Sequence, residues 1–197
     1  MASAPSPLIV AAFEVFKREG YANTTLAQIA KQAGCAEAEI VATYRDMPQL
    51  LGAVLKAYSP QDAMRAALLA VEGESAEELV RNSTHRLVGV IQQHAAFFEL
   101  ATVDMQMNGG NALTAMMTPL LPTVLQFTER LTSTKQLRPV PTPLLARTFL
   151  SMLIGYIVSE RAMPSAMQMM MRIFPQKAWL DGMVDLLLYG VLEDDQR

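Results

Sequence analysis

The sequence predicts an all-α chain in two parts, and three observations carry that prediction. Apolar residues recur at spacings of three and four along almost the whole length, which is the period of one helix face. No alternating run of Val, Ile and Thr bounded by turn residues interrupts them, so nothing argues for strands. The predicted helices are short up to Ser59 and lengthen beyond it, as expected for a small module attached to a larger helical body. With 197 residues, 51% of them hydrophobic and 18% charged, the chain can bury a substantial core. We therefore expect an N-terminal three-helix helix-turn-helix domain over 1–58 and a larger helical domain over 59–197.

Each element has a local reason. The first helix spans Pro7 to Glu19, with Leu8, Ala12, Val15 and Phe16 as its inward stripe, and Gly20 stops it. The second starts at Thr25, because Thr25-x-x-Gln28 is the spacing of a capping box, and ends at Ala33-Gly34. A third, two turns long, runs from about Ala36 to Thr43. Asp46, with Pro48 in the first turn and Gln49 three residues on, opens a fourth that ends near Tyr58. Longer helices are expected over Gln61–Val71, Ala76–Met107 with a break near His94, Ala112–Thr134, Pro143–Met163 and Pro175–Leu192. Gly73, Gly109-Gly110, residues 137–143 and Pro164 separate them.

Several function classes fall away. Cys35 is the single cysteine, so no intramolecular disulfide can form, and we read it as a small buried hydrophobe. The apolar run LIVAAFEVF has no basic leader and is followed by Lys17, Arg18 and Glu19, which is not a signal-peptide pattern. The longest charge-free run, Met105 to Thr128, is broken by Asn108, Gly109, Gly110, Asn111, Pro119 and Pro122, a poor membrane span. Cytoplasmic residence and no membrane partner are expected. His85 and His94 are nine residues apart and cannot share a metal on one straight helix. With no phosphate loop or nucleophile elbow either, we expect no catalytic residues, metal or cofactor.

A short helix ending in Ala-Gly, a tight turn and a second short helix is helix-turn-helix geometry, in which the second helix lies in the major groove of DNA. Small Ala30 and Ala33 permit a close helix crossing. The segment AAFEVFKREGYANTTLAQIAKQAG, followed by Tyr44 and Leu50, resembles the N-terminal domain of the TetR family of transcriptional regulators. The shared features are the aromatic-to-Gly-Tyr ending of the first helix (Phe16 to Tyr21), the Thr25 cap, Ile29 to Gly34, and a two-turn recognition helix from Ala36 to Thr43. The resemblance covers about the first 55 residues. It implies an Ω-shaped homodimer whose variable body binds a small molecule and thereby changes the affinity of two DNA-reading heads for a palindromic operator. The sequence departs from the family pattern at Val41, where a tyrosine is usual, at Met47, where a lysine is usual, and at Ala36, where a serine often caps the helix.

The candidate DNA-binding residues are Thr25, Gln28, Glu37, Ala38, Glu39, Thr43, Tyr44 and Arg45. Thr25 and Thr43 occupy the family's backbone-contacting places, whereas Tyr44 either fills the core through its ring or reaches phosphate with its hydroxyl. Glu37 and Glu39 either accept from cytosine N4 or are solvated helix-surface charges. Over residues 1–58, Lys17, Arg18, Lys31, Arg45 and Lys56 are balanced by Glu14, Glu19, Glu37, Glu39 and Asp46, so the head carries no net charge.

In the body, Phe97, Phe98, Met105, Met116, Met117, Leu120 and Phe127 are expected to line a pocket for a small apolar effector. Further methionines, Met107, Met152, Met163, Met167, Met169, Met170 and Met171, make the body adaptable. The Pro143–Met163 helix is apolar on nearly every face, including Leu145, Leu150, Met152, Ile154 and Val158, so it must be covered on both sides. With the final helix it offers a self-complementary dimer interface of Phe149, Leu153, Gly155, Tyr156, Trp179, Met183, Leu186 and Leu187. The expected function is a TetR-like regulator, a repressor, that binds double-stranded operator DNA as a homodimer under control of the effector. The alternative is a relative that keeps the scaffold without operator binding and acts as a ligand-binding or protein-partner module.

Overall fold

Local capping chemistry sets most helix ends, and a computed structural model of the chain, describing residues 4–137, 140–162, 169, 173 and 175–189, shows how. Among these residues there are eleven α-helices and no strand. Helix α1 (Pro7–Glu19) begins where Ser6 Oγ accepts from the Ile9 N–H at 3.3 Å. Pro7 stands in its first turn, where the missing N–H costs nothing. It ends at Gly20, whose φ of 77° lets its N–H reach the Phe16 carbonyl. Helices α2 (Leu26–Ala33), α3 (Glu37–Tyr44) and α4 (Met47–Ala57) follow, then α5 (Gln61–Leu69) and α6 (Ala76–Gln93).

The break expected near His94 is present, because α7 (Ala95–Asn108) starts just after it. The single helix expected over Ala112–Thr134 is instead divided into α8 (Asn111–Met117), a 3-10 turn over Thr118–Leu120, and α9 (Leu121–Ser133). Pro119 and Pro122 explain the division: neither has an N–H for the helical ladder, and a proline ring crowds the carbonyl four residues before it. Helices α10 (Thr142–Ala162) and α11 (Gln176–Tyr189) complete the described chain. The expected reach of the last helix to Leu192 lies outside the described residues, as do Met163, Met167, Met170 and Met171 and the side chain of Val158.

The helices form two compact units. One holds the residues up to Ala63 together with Ile91–Leu120, and the other holds Met64–Val90 and the described residues from Leu121 onward. In the first, α1 packs on α2 and α4, α2 on α3, and α4 also meets α7 and α8. Val15, Phe16, Ile29, Ile40, Leu50, Leu51, Val54, Leu55 and Phe97 are each at most 1% exposed there. Burial of each such side chain contributes about 1.5–3 kcal/mol, and this shared core fixes the angle at which α3 leaves the head.

At the α7–α8 junction, Gly109 and Gly110 have φ of 71° and 79°, so two left-handed residues reverse the chain. The reversal brings Ala112 N–H to the carboxylate of buried Asp104 at 2.9 Å, and Asn108 Nδ2 donates to the same carboxylate at 3.0 Å. Asp104 therefore caps α8 from inside the core.

The second unit buries Leu79, Val80, Val88, Leu131, Leu153, Tyr156, Leu180 and Val184. Its α5–α6 loop is tied to the end of α9 by two long-range bonds. Arg130 Nη1 donates to the Val71 carbonyl at 3.0 Å, and the Ala76 N–H donates to Gln136 Oε1 at 2.8 Å.

Candidate nucleic-acid interface

The reading head is built by α2, a turn and α3. Thr25 Oγ1 accepts from the Gln28 N–H at 3.3 Å, while Gln28 Oε1 accepts from the Thr25 N–H at 2.7 Å, so the expected capping box is formed. Gly34 lies in the left-handed region at φ 71°, which allows both it and Cys35 to donate to the Ala30 carbonyl and turn the chain toward α3. Cys35 itself is half-exposed. Its reading as a buried hydrophobe is corrected, because the turn holds it between two helices rather than beneath them.

Helix α3 is held by one face. Ile40 is 1% exposed and Tyr44 is half-buried, whereas Glu37, Ala38, Glu39, Val41, Ala42 and Thr43 are all exposed. Ala36 supplies no side-chain cap, and Glu39 compensates in part: its Oε1 accepts from the Ala36 N–H at 2.9 Å. That carboxylate is thus engaged at the helix start, where the dipole favours it. Thr43 Oγ1 donates to the Glu39 carbonyl at 2.9 Å. Glu37 makes no such bond among the described residues, so the two glutamates that the sequence treats alike differ in the fold.

Arg45 closes α3. Its φ of 55° places a non-glycine residue in left-handed backbone, its N–H donates to the Val41 carbonyl at 2.9 Å, and the next N–H, of Asp46, donates to the Tyr44 carbonyl. Asp46 Oδ1 then accepts from the Gln49 N–H at 2.9 Å and starts α4. The carboxylate also acts on Tyr21, whose pKa is raised first by burial and second by Asp46. Seven of the eight candidate DNA-binding residues are exposed in this unit, and Tyr44 is the half-buried exception.

The expected effector-binding residues are distributed differently. Phe97, Met116 and Leu120 are buried and Phe98 and Met117 half-buried in the first unit, with the Phe97 and Phe98 rings meeting edge to face at 5.2 Å. Met105 is 55% exposed, and Phe127 is buried in the second unit. Of the expected dimer residues, Leu153 and Tyr156 are buried within their own unit, Phe149, Trp179, Met183 and Leu187 are half-buried, and Gly155 and Leu186 are exposed. An open groove of about 560 Å³ runs along α11, lined by Ala178, Trp179, Gly182, Met183, Asp185, Leu186 and Tyr189. Ala178, Gly182, Asp185 and Tyr189 in that lining were missed, although their spacing of four, three and four marks one helix face.

A charged cluster between α6 and α11 was also missed. Arg81 reaches Glu77 at 2.7 Å, Asp185 at 2.6 Å and Asp181 at 3.1 Å; His85 Nε2 meets Asp181 at 2.8 Å, and the Tyr189 hydroxyl donates to Glu77 at 2.6 Å. The Tyr189 hydrogen bond, then that of Arg81, lowers the Glu77 pKa. For Asp181 burial acts upward, but hydrogen bonds from His85 and Arg81 outweigh it and the pKa falls. The Arg81 pKa is raised, chiefly by its bonds to Asp185 and Glu77. Only the pairs Glu77/Arg81 and Asp181/Asp185, each four apart, were visible in the sequence. Among the described residues no group of three or more His, Cys, Asp or Glu is placed to hold a metal, and no helix is long and apolar enough to cross a membrane.

A helix-turn-helix whose second helix is anchored on one side and exposed on the other is the arrangement by which DNA-binding proteins place a helix in the major groove. Residues 8–54 match the family described as bacterial regulatory proteins, tetR family, so this segment is an N-terminal domain of that family. The chain is similar in structure to the TetR-family regulator PfmR of Thermus thermophilus, at 18% identity and a TM-score of 0.67, covering 95% of this chain and 100% of that one. The regulator FadR of Bacillus subtilis, solved in complex with stearoyl-CoA, is 16% identical with a TM-score of 0.64 over 94% of this chain and 98% of that one. The fatty acid degradation regulator FadR of Bacillus halodurans is 20% identical with a TM-score of 0.58 over 94% of each chain. At these identities the likeness shows the fold. None of the curated proteins compared matches this chain.

Proposed function

We propose that this is a cytoplasmic, homodimeric repressor that reads a palindromic operator through residues 1–58 and releases it when an apolar effector binds the body over 59–197. The observation that carries the reading is the one-sided anchoring of α3: Ile40 is buried while Ala38 and Ala42 on the other side, and Val41 on the flank, face solvent. A helix held in this way can enter a major groove without unfolding anything. The two FadR neighbours, one of them holding stearoyl-CoA, support a fatty acyl thioester as the effector class. It acts by binding, with no catalytic step.

Fluorescence anisotropy on the intergenic DNA upstream of the gene, with and without stearoyl-CoA, tests this. The expected result is saturable binding that the thioester weakens, with a shallow salt dependence because each neutralised phosphate contributes only about −0.9 to the slope and the head is neutral. That neutrality favours a second reading, a scaffold without operator binding that serves as a ligand-binding or protein-partner module. It replaces the first if the wild type binds no DNA even at low salt while the double variant Glu37→Lys, Met47→Lys does.

A further inference from the structure

We infer that the recognition helix reads thymine methyl groups as its main base contact, with Val41 as the specificity-determining residue. This rests on the DNA-binding reading above. Helix positions advance by about 100° per residue, so the side of α3 opposite the buried Ile40 carries Ala38 and Ala42, with Val41 on one flank and Glu39 on the other. Ala38, Ala42 and Val41 are exposed, Val41 at 46%, and none of these three has a hydrogen-bonding atom in its side chain. Such a face cannot read the donors and acceptors that distinguish most base pairs. The one apolar feature of an unmodified major groove is the C5-methyl of thymine, which pairs with small apolar side chains.

Of the neighbouring polar side chains, Glu37 lies only about 60° from the buried Ile40, away from the apolar strip, and Glu39 and Thr43 are engaged within the helix. The carboxylate of Glu39 accepts from the Ala36 N–H at 2.9 Å, and the hydroxyl of Thr43 donates to the Glu39 carbonyl at 2.9 Å. Ala38 and Ala42 are one turn apart, about 6 Å along the axis at 1.5 Å per residue. Bases on one strand rise about 3.4 Å, so the two alanines span roughly two base steps. Each half-site is therefore expected to place thymines within a few adjacent steps, on either strand.

The test uses the full-length protein and its tightest duplex from selection of a random double-stranded library. Replacing thymine by deoxyuridine at each half-site position removes one methyl and leaves every hydrogen-bonding group in place. We expect about a fourfold loss of affinity at each contacted thymine, the value of one buried methyl-sized group. Val41→Ala, which lies on the surface and leaves the core intact, should abolish the loss at one position and preserve it at the others. An affinity indifferent to deoxyuridine at every position would overturn the inference while leaving DNA binding standing. Losses that persist at every position in Val41→Ala would overturn the role of Val41. Failure to select any duplex at low salt would overturn the DNA-binding reading, and this inference with it.

Discussion

Arg45 shows how one residue can serve two opposed demands. Its side chain is an exposed cation at the exit of α3, yet its backbone sits at φ 55°, where a Cβ costs about 1–2 kcal/mol. Glycine would relieve that strain, offset in part by about 0.4–1 kcal/mol of extra unfolded-chain entropy. Arg45→Gly is therefore expected to raise the thermal midpoint by up to about 2–4 °C in a chain of this size. The same variant should weaken DNA binding and reduce the magnitude of the salt slope by about 0.9, read by calorimetry and anisotropy. A variant that is both less stable and unchanged on DNA would contradict both halves of the prediction. Glu39 carries a related lesson. The sequence places two acids on the recognition helix, and only the fold distinguishes the one that accepts from Ala36 from the one that does not.

The link between α6 and α11 is the clearest case of elements joined by charge. Arg81 lies among Glu77, Asp181 and Asp185, and His85 shares Asp181 with it. The ordinary values of Glu77 and Asp181 are 4.5 and 3.8, and both are lowered in the folded protein. A lowered folded pKa means the stabilisation is complete above the ordinary values and disappears as pH falls through them toward the lowered ones. The thermal midpoint should therefore hold between neutral pH and about pH 5 and fall below it. Arg81→Gln should start lower and fall less over the same range, because the cation that favours the ionised carboxylates is gone. Parallel curves for the two proteins would show that Arg81 has no part in the acid sensitivity. Each of these bonds is partly exposed, so solvent screening keeps the individual contributions small.

For the whole molecule, the excess apolar surface of α10 and α11 points to self-association. Leu150, Ile154 and Leu186 are 38%, 51% and 56% exposed, whereas Leu153, Tyr156, Leu180 and Val184 fill the chain's own core. A glutamate at an exposed position disturbs an interface without opening a cavity, so Ile154→Glu with Leu186→Glu is a cleaner probe than any change at half-buried Leu187. Sedimentation velocity should find dimeric wild type and monomeric variant with the same far-ultraviolet circular dichroism. A variant that stays dimeric would remove α10 and α11 from the interface. Charge also acts at this scale: the chain carries a formal net charge of −3 and residues 1–58 none, so long-range attraction to a polyanion such as DNA is expected to be weak.

The helical class, the helix-turn-helix and most helix ends were legible in the order of residues alone. The reason is that Thr25 with Gln28, Asp46 with Gln49, and Gly34 with Ala30 act across three or four residues, where spacing is the interaction. The split at Pro119 and Pro122 was equally local and was legible in the same terms, but the apolar period running through both prolines concealed it. Which side of α10 turns inward emerged only from packing, because a helix apolar on every face has no periodic signal to read. Packing alone also joined Arg81 to Asp181 and Asp185 across 100 and 104 residues, and used the Asp104 carboxylate as an internal cap. Those pairings arise from chain reversal and helix contact, and no spacing along the chain encodes which distant partner a charge will meet.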